Sequence, residues 1–437
     1  MTLAEGLPRP TPIDRKSMLG LMALATAAFV YVTAETLPVG LLPQMAAGLH
    51  VRDGAIGLLV TIYAAVAGFT AIPLTALVSQ RSRRQVVVAA ASILAVSQLA
   101  MALSPNYGML LGARIVCAFA HGVFWSVVAP VAARLVAPER TGHATAIVFT
   151  GNSLALVLGT PIATALGDLL GWRAATALVG VVAAMSAVAM WFILPSLPSH
   201  APMGNTRSRL AAVPSALRSR SLVAVSVVTT LLVVGHFTAY TYISNLIRSD
   251  AGLTGLGLAV ILLAYGIAGV GGLGLTGLVT DRRPRMAAAT CAVALTAALG
   301  ALLTIGPGSV GFTIGSVVVW GAAFTALPVC LQSAVLRVAP RSADTASALY
   351  VVAFQVGIGG GALVGSILVD SGRLAELPLV GMVFAAVGTL VLLAARRAFP
   401  RRVGPPDSPS YDDDDQPVSP AEPTLSYASN SPSEVLL

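Results

Sequence analysis

Apolar residues fall in twelve long runs separated by short polar stretches. The runs predict helices at about 18–45, 55–79, 85–104, 108–136, 144–166, 174–194, 221–247, 255–280, 286–305, 310–338, 345–369 and 378–395. About 20 apolar residues in a helix cover the hydrocarbon core of a bilayer, and a helix satisfies its own backbone there. The expected fold is therefore an all-α membrane protein with twelve transmembrane helices. The polar stretch through Lys16 leads into about 28 apolar residues, longer than the core of a cleavable signal, so the first helix is expected to stay in the mature chain.

Composition sharpens this picture. Of the 437 residues 56% are apolar and 10% charged, with a mean hydropathy of +0.84, which excludes a soluble globular domain. Cys117, Cys291 and Cys330 lie inside apolar runs and are odd in number, so they read as packing residues rather than a disulfide framework or a thiolate metal site. The net charge of +8 follows topology. Twenty-one of the 26 Lys and Arg fall on one side of the predicted spans, and only Arg52, Arg173, Arg248 and Arg373 fall on the other. By the positive-inside rule both termini are cytoplasmic, in a multi-pass protein of the inner (cytoplasmic) membrane. Basic residues dispersed among alternate loops do not point to nucleic acid.

The chain repeats itself at an offset of about 200 residues. Ala76-Leu77-Val78-Ser79-Gln80-Arg81-Ser82-Arg83-Arg84 corresponds to Gly277-Leu278-Val279-Thr280-Asp281-Arg282-Arg283-Pro284-Arg285, and Asp168 falls opposite Asp370. Two six-helix halves, 18–194 and 221–397, follow, with a cytoplasmic N-terminus at 1–17, a cytoplasmic linker at 195–220, and an acidic, Pro- and Ser-rich, disordered tail at 398–437. Parallel repeats of this kind enclose a central cavity near the midplane and rock about it, which is how secondary transporters work. A membrane sensor or scaffold is the reading from another class, and it expects a sizeable soluble domain. The longest loop between helices is 195–220. No nucleophile triad, metal-spaced His cluster or cofactor fingerprint marks an enzyme, and no cofactor or metal is implied. The run Gly357, Gly359, Gly360, Gly361 and Gly365 lacks the Gly-Lys-Ser ending of a phosphate loop.

Only two formal charges, Glu35 and Arg114, lie in the interiors of the predicted spans, away from their ends. A charge at bilayer depth costs about 2.5–3.5 kcal/mol on insertion scales and usually marks a pathway or relay. Glu35 is about eleven residues, or roughly 16 Å, from the outer end of its span, near the midplane. Desolvation disfavours a charged carboxyl group, so such a group exchanges protons as its surroundings alternate. Its two readings are a proton-coupling site or substrate anchor, and a neutral acid bonded for helix packing. Arg114, with a side chain long enough to reach the depth of Glu35, is open to two readings as well: a partner of that acid, or a strut on backbone carbonyls. His121 and Trp125 follow Arg114 on the same helical face. Tyr31 precedes Glu35 by one turn, as His236 precedes Tyr240, while Asn152 and Gln355 add amides to the fifth and eleventh spans. These residues are candidates to line a cavity with apolar walls and sparse polar groups, which suits a small amphipathic drug. Recognition of a sugar usually draws on more hydroxyl partners and stacked aromatics, and aromatics make up 6% of this chain.

The loop Ala76 to Arg84, the fourth-span pattern Leu110-Leu111-Gly112-Ala113-Arg114-Ile115-Val116-Cys117-Ala118-Phe119-Ala120-His121-Gly122, and the fifth-span run Gly151-Asn152-Ser153-Leu154-Ala155-Leu156-Val157-Leu158-Gly159-Thr160-Pro161 carry a family resemblance. Over residues 18–397 the chain resembles the major facilitator superfamily, in its twelve-span drug:proton antiporter group, and most closely the chloramphenicol-resistance and sugar-efflux branch. The resemblance implies export of a small molecule in exchange for protons, with chloramphenicol-like antibiotics leading and sugars or an endogenous metabolite as the alternative. It further implies a proton relay through Arg114, and a hinge that limits leakage at Gly151, Gly159 and Pro161. A cytoplasmic latch is implied at Arg81, Arg84, Gly277, Asp281, Arg282 and Arg285. The first latch loop departs from the family pattern at Ala76, Gln80 and Arg83, whereas the second copy keeps Gly277 and Asp281. The expected partners are the substrate, protons and the lipid bilayer, and the expected working unit is a monomer.

Overall fold

The computed structural model describes residues 14–78, 80–137, 141–197, 218–280, 283–304, 309–339 and 343–400. Asp281 and Arg282 lie outside the described residues, as do most of the N-terminal stretch, the linker and the tail. Among the described residues, twelve helices are long and apolar enough to cross a membrane. In chain order the helices are α1 (Arg15–Leu49), α2 (Asp53–Leu77), α3 (Arg83–Ala102), α4 (Tyr107–Ala133), α5 (Thr141–Leu154), α6 (Thr160–Leu170), α7 (Trp172–Ile193), α8 (Arg220–Tyr240), α9 (Ile243–Ala251), α10 (Gly255–Thr280), α11 (Pro284–Thr304), α12 (Val310–Val338), α13 (Ala343–Asp370) and α14 (Leu377–Ala394).

Short polar side chains start several of them by occupying orphan backbone donors. The Asp14 carboxylate takes the N–H groups of Lys16 and Ser17 at 3.1 Å, and Asn106 takes that of Met109 at 3.0 Å. Ser82 and Ser219 do the same for Gln85 and Leu222, each at 3.3 Å.

Two spans are less regular than hydropathy predicts. The expected helix at 144–166 is interrupted by a π-helical turn, Ala155–Gly159, between α5 and α6. Pro161 follows immediately; it has no N–H for the Val157 carbonyl, and the loosened turn accommodates an extra residue. The expected helix at 221–247 ends at Tyr240, and the short α9 continues after a break at Thr241 and Tyr242. The break turns the Tyr242 ring towards α2, where Gly57 has no side chain to obstruct it. Hydropathy, which counts Ile243, Leu246 and Ile247 as more of the same span, does not register that turn.

Within the first six spans α1 packs on α5, α6 and α7, and α3 on α4 and α7; within the last six, α8 packs on α13 and α14, and α12 on α10 and α11. The two sets meet through α2 with α13, α6 with α10, and α1 with α9. Polar contacts between them gather at the end opposite the basic loops. Asp370, the last residue of α13, accepts from the Gly54 N–H at 3.2 Å and faces Arg52 at 3.6 Å, while Ser366 donates to the Gly54 carbonyl at 3.0 Å. The Asn245 amide donates to Asp53, and Ser244 donates to the Val39 carbonyl at 3.1 Å. Nearer mid-span, Thr61 donates to the Gly359 carbonyl at 3.1 Å. The repeat partner of Asp370, Asp168, rests its carboxylate against Gly255, the first residue of α10. Each acid thus sits at the start of a helix from the other set, where the helix dipole favours a negative charge.

Candidate functional site

Two prolines divide α1, and Glu35 lies one turn from the first of them, Pro38. Its carboxylate is half-buried and makes no hydrogen bond or ion pair among the described residues. Arg114 of α4, only 1% exposed, does not reach that carboxylate. It donates through Nη1 to the Ala34 carbonyl at 2.6 Å and through Nη2 to the Glu35 carbonyl at 2.7 Å. Of the two readings of Arg114, this geometry is that of a strut on the backbone. Its guanidinium also lies 4.4 Å from the centre of the Tyr63 ring, a cation–π contact.

Tyr63 joins Arg114 to His121, because its hydroxyl is 2.8 Å from His121 Nδ1. Trp125 comes next on α4, with ring centres 6.2 Å from His121 and 5.9 Å from Phe149. Tyr31 is fully buried: its ring stacks on Phe124 at 4.2 Å and its hydroxyl donates to the Ala90 carbonyl at 2.7 Å. That phenol is committed to holding α1 against α3. Asn152 is half-buried on α5.

The last six spans build a second aromatic cluster. His236 stacks on Phe324 at 3.3 Å and on Tyr240 at 4.7 Å, and Trp320 Nε1 donates to His236 Nδ1 at 2.8 Å. Tyr265 lies 5.3 Å from Tyr240 and 6.1 Å from Trp320. An indole N–H is only a donor, so Nδ1 carries a lone pair and the imidazole is neutral with its proton on Nε2. From this cluster the Tyr240 hydroxyl faces Thr160 of α6, which donates to Thr36 at 2.9 Å. Thr36 in turn donates to the Val32 carbonyl at 3.0 Å. A line of hydroxyls therefore runs from the second cluster to the residue beside Glu35.

Gln355 stands apart from both clusters. It lies in the wall of an apolar crevice of about 230 Å³ between α2 and α13, and its Oε1 has no hydrogen-bond partner among the described residues.

The hinge candidates lie where α5 and α6 press on α1. A Cβ on Gly151 would come within 1.9 Å of the Ala25 carbonyl oxygen, and one on Gly159 within 2.5 Å of Thr33 Oγ1. Eight residues separate both pairs, so the helices run parallel in register, and Pro161 sits in the first turn of α6. At the basic end Arg84 stacks over Trp191 of α7 at 4.6 Å, and Arg285 donates to the Leu393 carbonyl of α14. Both hold helices of their own half together. Arg81 is exposed, and Gly277 lies in α10.

Tyr63, Tyr265, Trp320 and Phe324 complete the clusters, although no charge or motif in the sequence marks them. Tyr63 and Tyr265 are 202 residues apart and Phe124 and Phe324 are 200 apart, which is the repeat offset already seen in the loops.

Comparison with known proteins agrees with this architecture. The family model described as Major Facilitator Superfamily matches residues 24–362, and the chain belongs to that family. It is similar to the chloramphenicol efflux pumps of two Mycobacterium tuberculosis strains, CDC 1551 / Oshkosh and ATCC 25618 / H37Rv. Each is 42% identical over 356 residues, which cover 80% of this chain and 86% of the relative. Among solved structures it resembles a bacterial homologue of the human lysosomal transporter Spinster in an inward-facing and unoccupied conformation, with a TM-score of 0.73, 15% identity, and coverage of 90% of this chain and 99% of that one. A nucleoside transporter superposes with a TM-score of 0.70 at 15% identity, over 87% and 99% of the two chains. At such identities the likeness is one of fold. The protein is a multi-pass membrane transporter.

Proposed function

We propose that the chain is a proton-coupled antiporter of the cytoplasmic membrane that exports a small amphipathic drug, with chloramphenicol-like antibiotics first among its substrates. The observation that carries the coupling is the Glu35 carboxylate, an acid in the interior of a span rather than at its end, half-buried and without a partner among the described residues. The two mycobacterial relatives named as chloramphenicol efflux pumps support the substrate class. The basic end is cytoplasmic by the charge rule, so the contacts around Asp53 and Asp370 close the outer side.

Glu35 takes a proton from outside while the outer side is open, and the drug leaves. The halves then rock, the neutral acid meets the cytoplasmic side, and drug binding from the cytoplasm accompanies release of the proton. Arg114, fixed to the backbone of α1, holds that helix in place around the acid. Each charge moved through 100 mV supplies about 2.3 kcal/mol. The aromatic clusters of the two halves suit a ligand with a ring and few polar groups. Cells expressing the protein should export chloramphenicol at the expense of an inward proton gradient, and Glu35→Gln should abolish that export with the protein still in the membrane. Undiminished proton-driven export by the variant would sink the reading.

A further inference from the structure

A proline in a helix leaves the carbonyl four residues earlier without its intrahelical donor. Pro38 and Pro43 of α1 do this to Ala34 and Val39. Both carbonyls are buried, and each is taken by a side chain from another helix: Ala34 by Arg114, and Val39 by Ser244 at 3.1 Å. The substitutes differ in one respect. Arg114 stands on α4, which packs within the same six spans as α1, whereas Ser244 stands on α9 in the other six. A movement of one set against the other leaves the first bond intact and breaks the second.

We infer that Ser244 is a positioning residue of the transport cycle. Its hydroxyl replaces the backbone donor that Pro43 lacks, and so ties the outer part of α1 to the last six spans while the outer side is closed. When that side opens, Ser244 withdraws and the Val39 carbonyl becomes an unclaimed acceptor one helical turn from Glu35, open to water or a substrate donor. Ser244 is buried and has one proton to give; its other acceptor in reach, Asn245 Oδ1, is farther at 3.4 Å and belongs to the amide that holds Asp53. The bond therefore has the right donor, the right depth and a partner whose need for it arises from the sequence of α1 itself. The inference rests on the alternating-access reading above for its two states, and on nothing about the identity of the drug.

The test is a double-mutant cycle on the full chain in lipid nanodiscs without drug. Spin labels on Leu103→Cys and Leu256→Cys, exposed positions on the two halves at the outer end, report the outer opening as a distance distribution. Ser244→Ala should raise the open population relative to the closed one by about 2- to 12-fold, the range of one hydrogen bond. Pro43→Ala returns an N–H to Val39, and in that background Ser244→Ala should change the ratio by less than about 2-fold. Ser244→Thr, which keeps the hydroxyl, should match the parent, and Ser244→Val, of equal bulk, should match Ser244→Ala, so the inference is testable even if Pro43→Ala folds poorly. Equal effects of Ser244→Ala with and without Pro43, or identical behaviour of the Thr and Val variants, would overturn it. Failure of every drug to move protons would instead count against the proposed function and leave this cycle interpretable.

Discussion

Arg114 holds the backbone of Glu35 and leaves its carboxylate alone: Nη2 meets the Glu35 carbonyl at 2.7 Å while the acid has no partner among the described residues. The two charges inside the spans thus have separable duties. A lysine in place of Arg114 carries the charge but has no planar fork to span the carbonyls of Ala34 and Glu35. Arg114→Lys should lower stability by about 1–3 kcal/mol, the cost of a lost buried hydrogen bond to a charged group. Glu35→Gln should change it by less than about 0.5 kcal/mol, and yet be the more damaging of the two for export. Thermal unfolding in detergent, alongside efflux, reads both.

Gly151 has no room for a methyl group, because the obstacle is the Ala25 backbone rather than a movable side chain. Gly151→Ala should force α5 from α1 and cost about 1–3 kcal/mol. Gly112→Ala, where a Cβ meets no described atom within 4 Å, is the matched control and should be neutral or slightly stabilising. Equal melting temperatures for the two variants would contradict the packing account.

His236 receives its hydrogen bond from Trp320, which sets the tautomer. Trp320→Phe keeps a ring in the cluster and removes the donor. Nitrogen NMR of histidine-labelled protein should find Nδ1 of His236 unprotonated in the parent and a mixture of tautomers in the variant. A cationic His236 in the parent at neutral pH would contradict this hydrogen bond.

Asp370 and Asp168 sit at the starts of α2 and α10 across the halves. An asparagine at either position keeps the shape and loses the charge, worth about 0.3–1 kcal/mol at a helix N-terminus. Asp370→Asn and Asp168→Asn should each shift the protein towards the outward-open state, and the pair together roughly additively. Labelling of an outer-facing cysteine by a water-soluble maleimide should accelerate in the same order.

Much of the fold was legible in the chain because the bilayer imposes one requirement on every span. Apolar length alone located all twelve, and the rarity of charge inside them drew attention to Glu35 and Arg114. Partners were harder to read. Arg114 and Ser244 bind backbone carbonyls, whose positions no residue type encodes, although Pro38 and Pro43 announce which carbonyls lack a donor. The break after Tyr240 and the π turn before Pro161 are likewise invisible to hydropathy, which averages over a turn. Residue type alone marks Tyr31 and Gln355 as polar groups for a cavity, whereas the Tyr31 hydroxyl bonds to α3 and the Gln355 amide lies in a crevice away from both aromatic clusters. The pairing of Tyr63 with Tyr265 and of Phe124 with Phe324 lay within the repeat, available to a comparison of spans rather than of loops.

The central claim is that Glu35 releases a proton when drug binds. Purified protein in weakly buffered detergent, mixed with chloramphenicol while pH is followed, tests it most directly. The account predicts a saturable release of protons from the parent and none from Glu35→Gln. Equal release from both, with a drug that both are shown to bind, would contradict it.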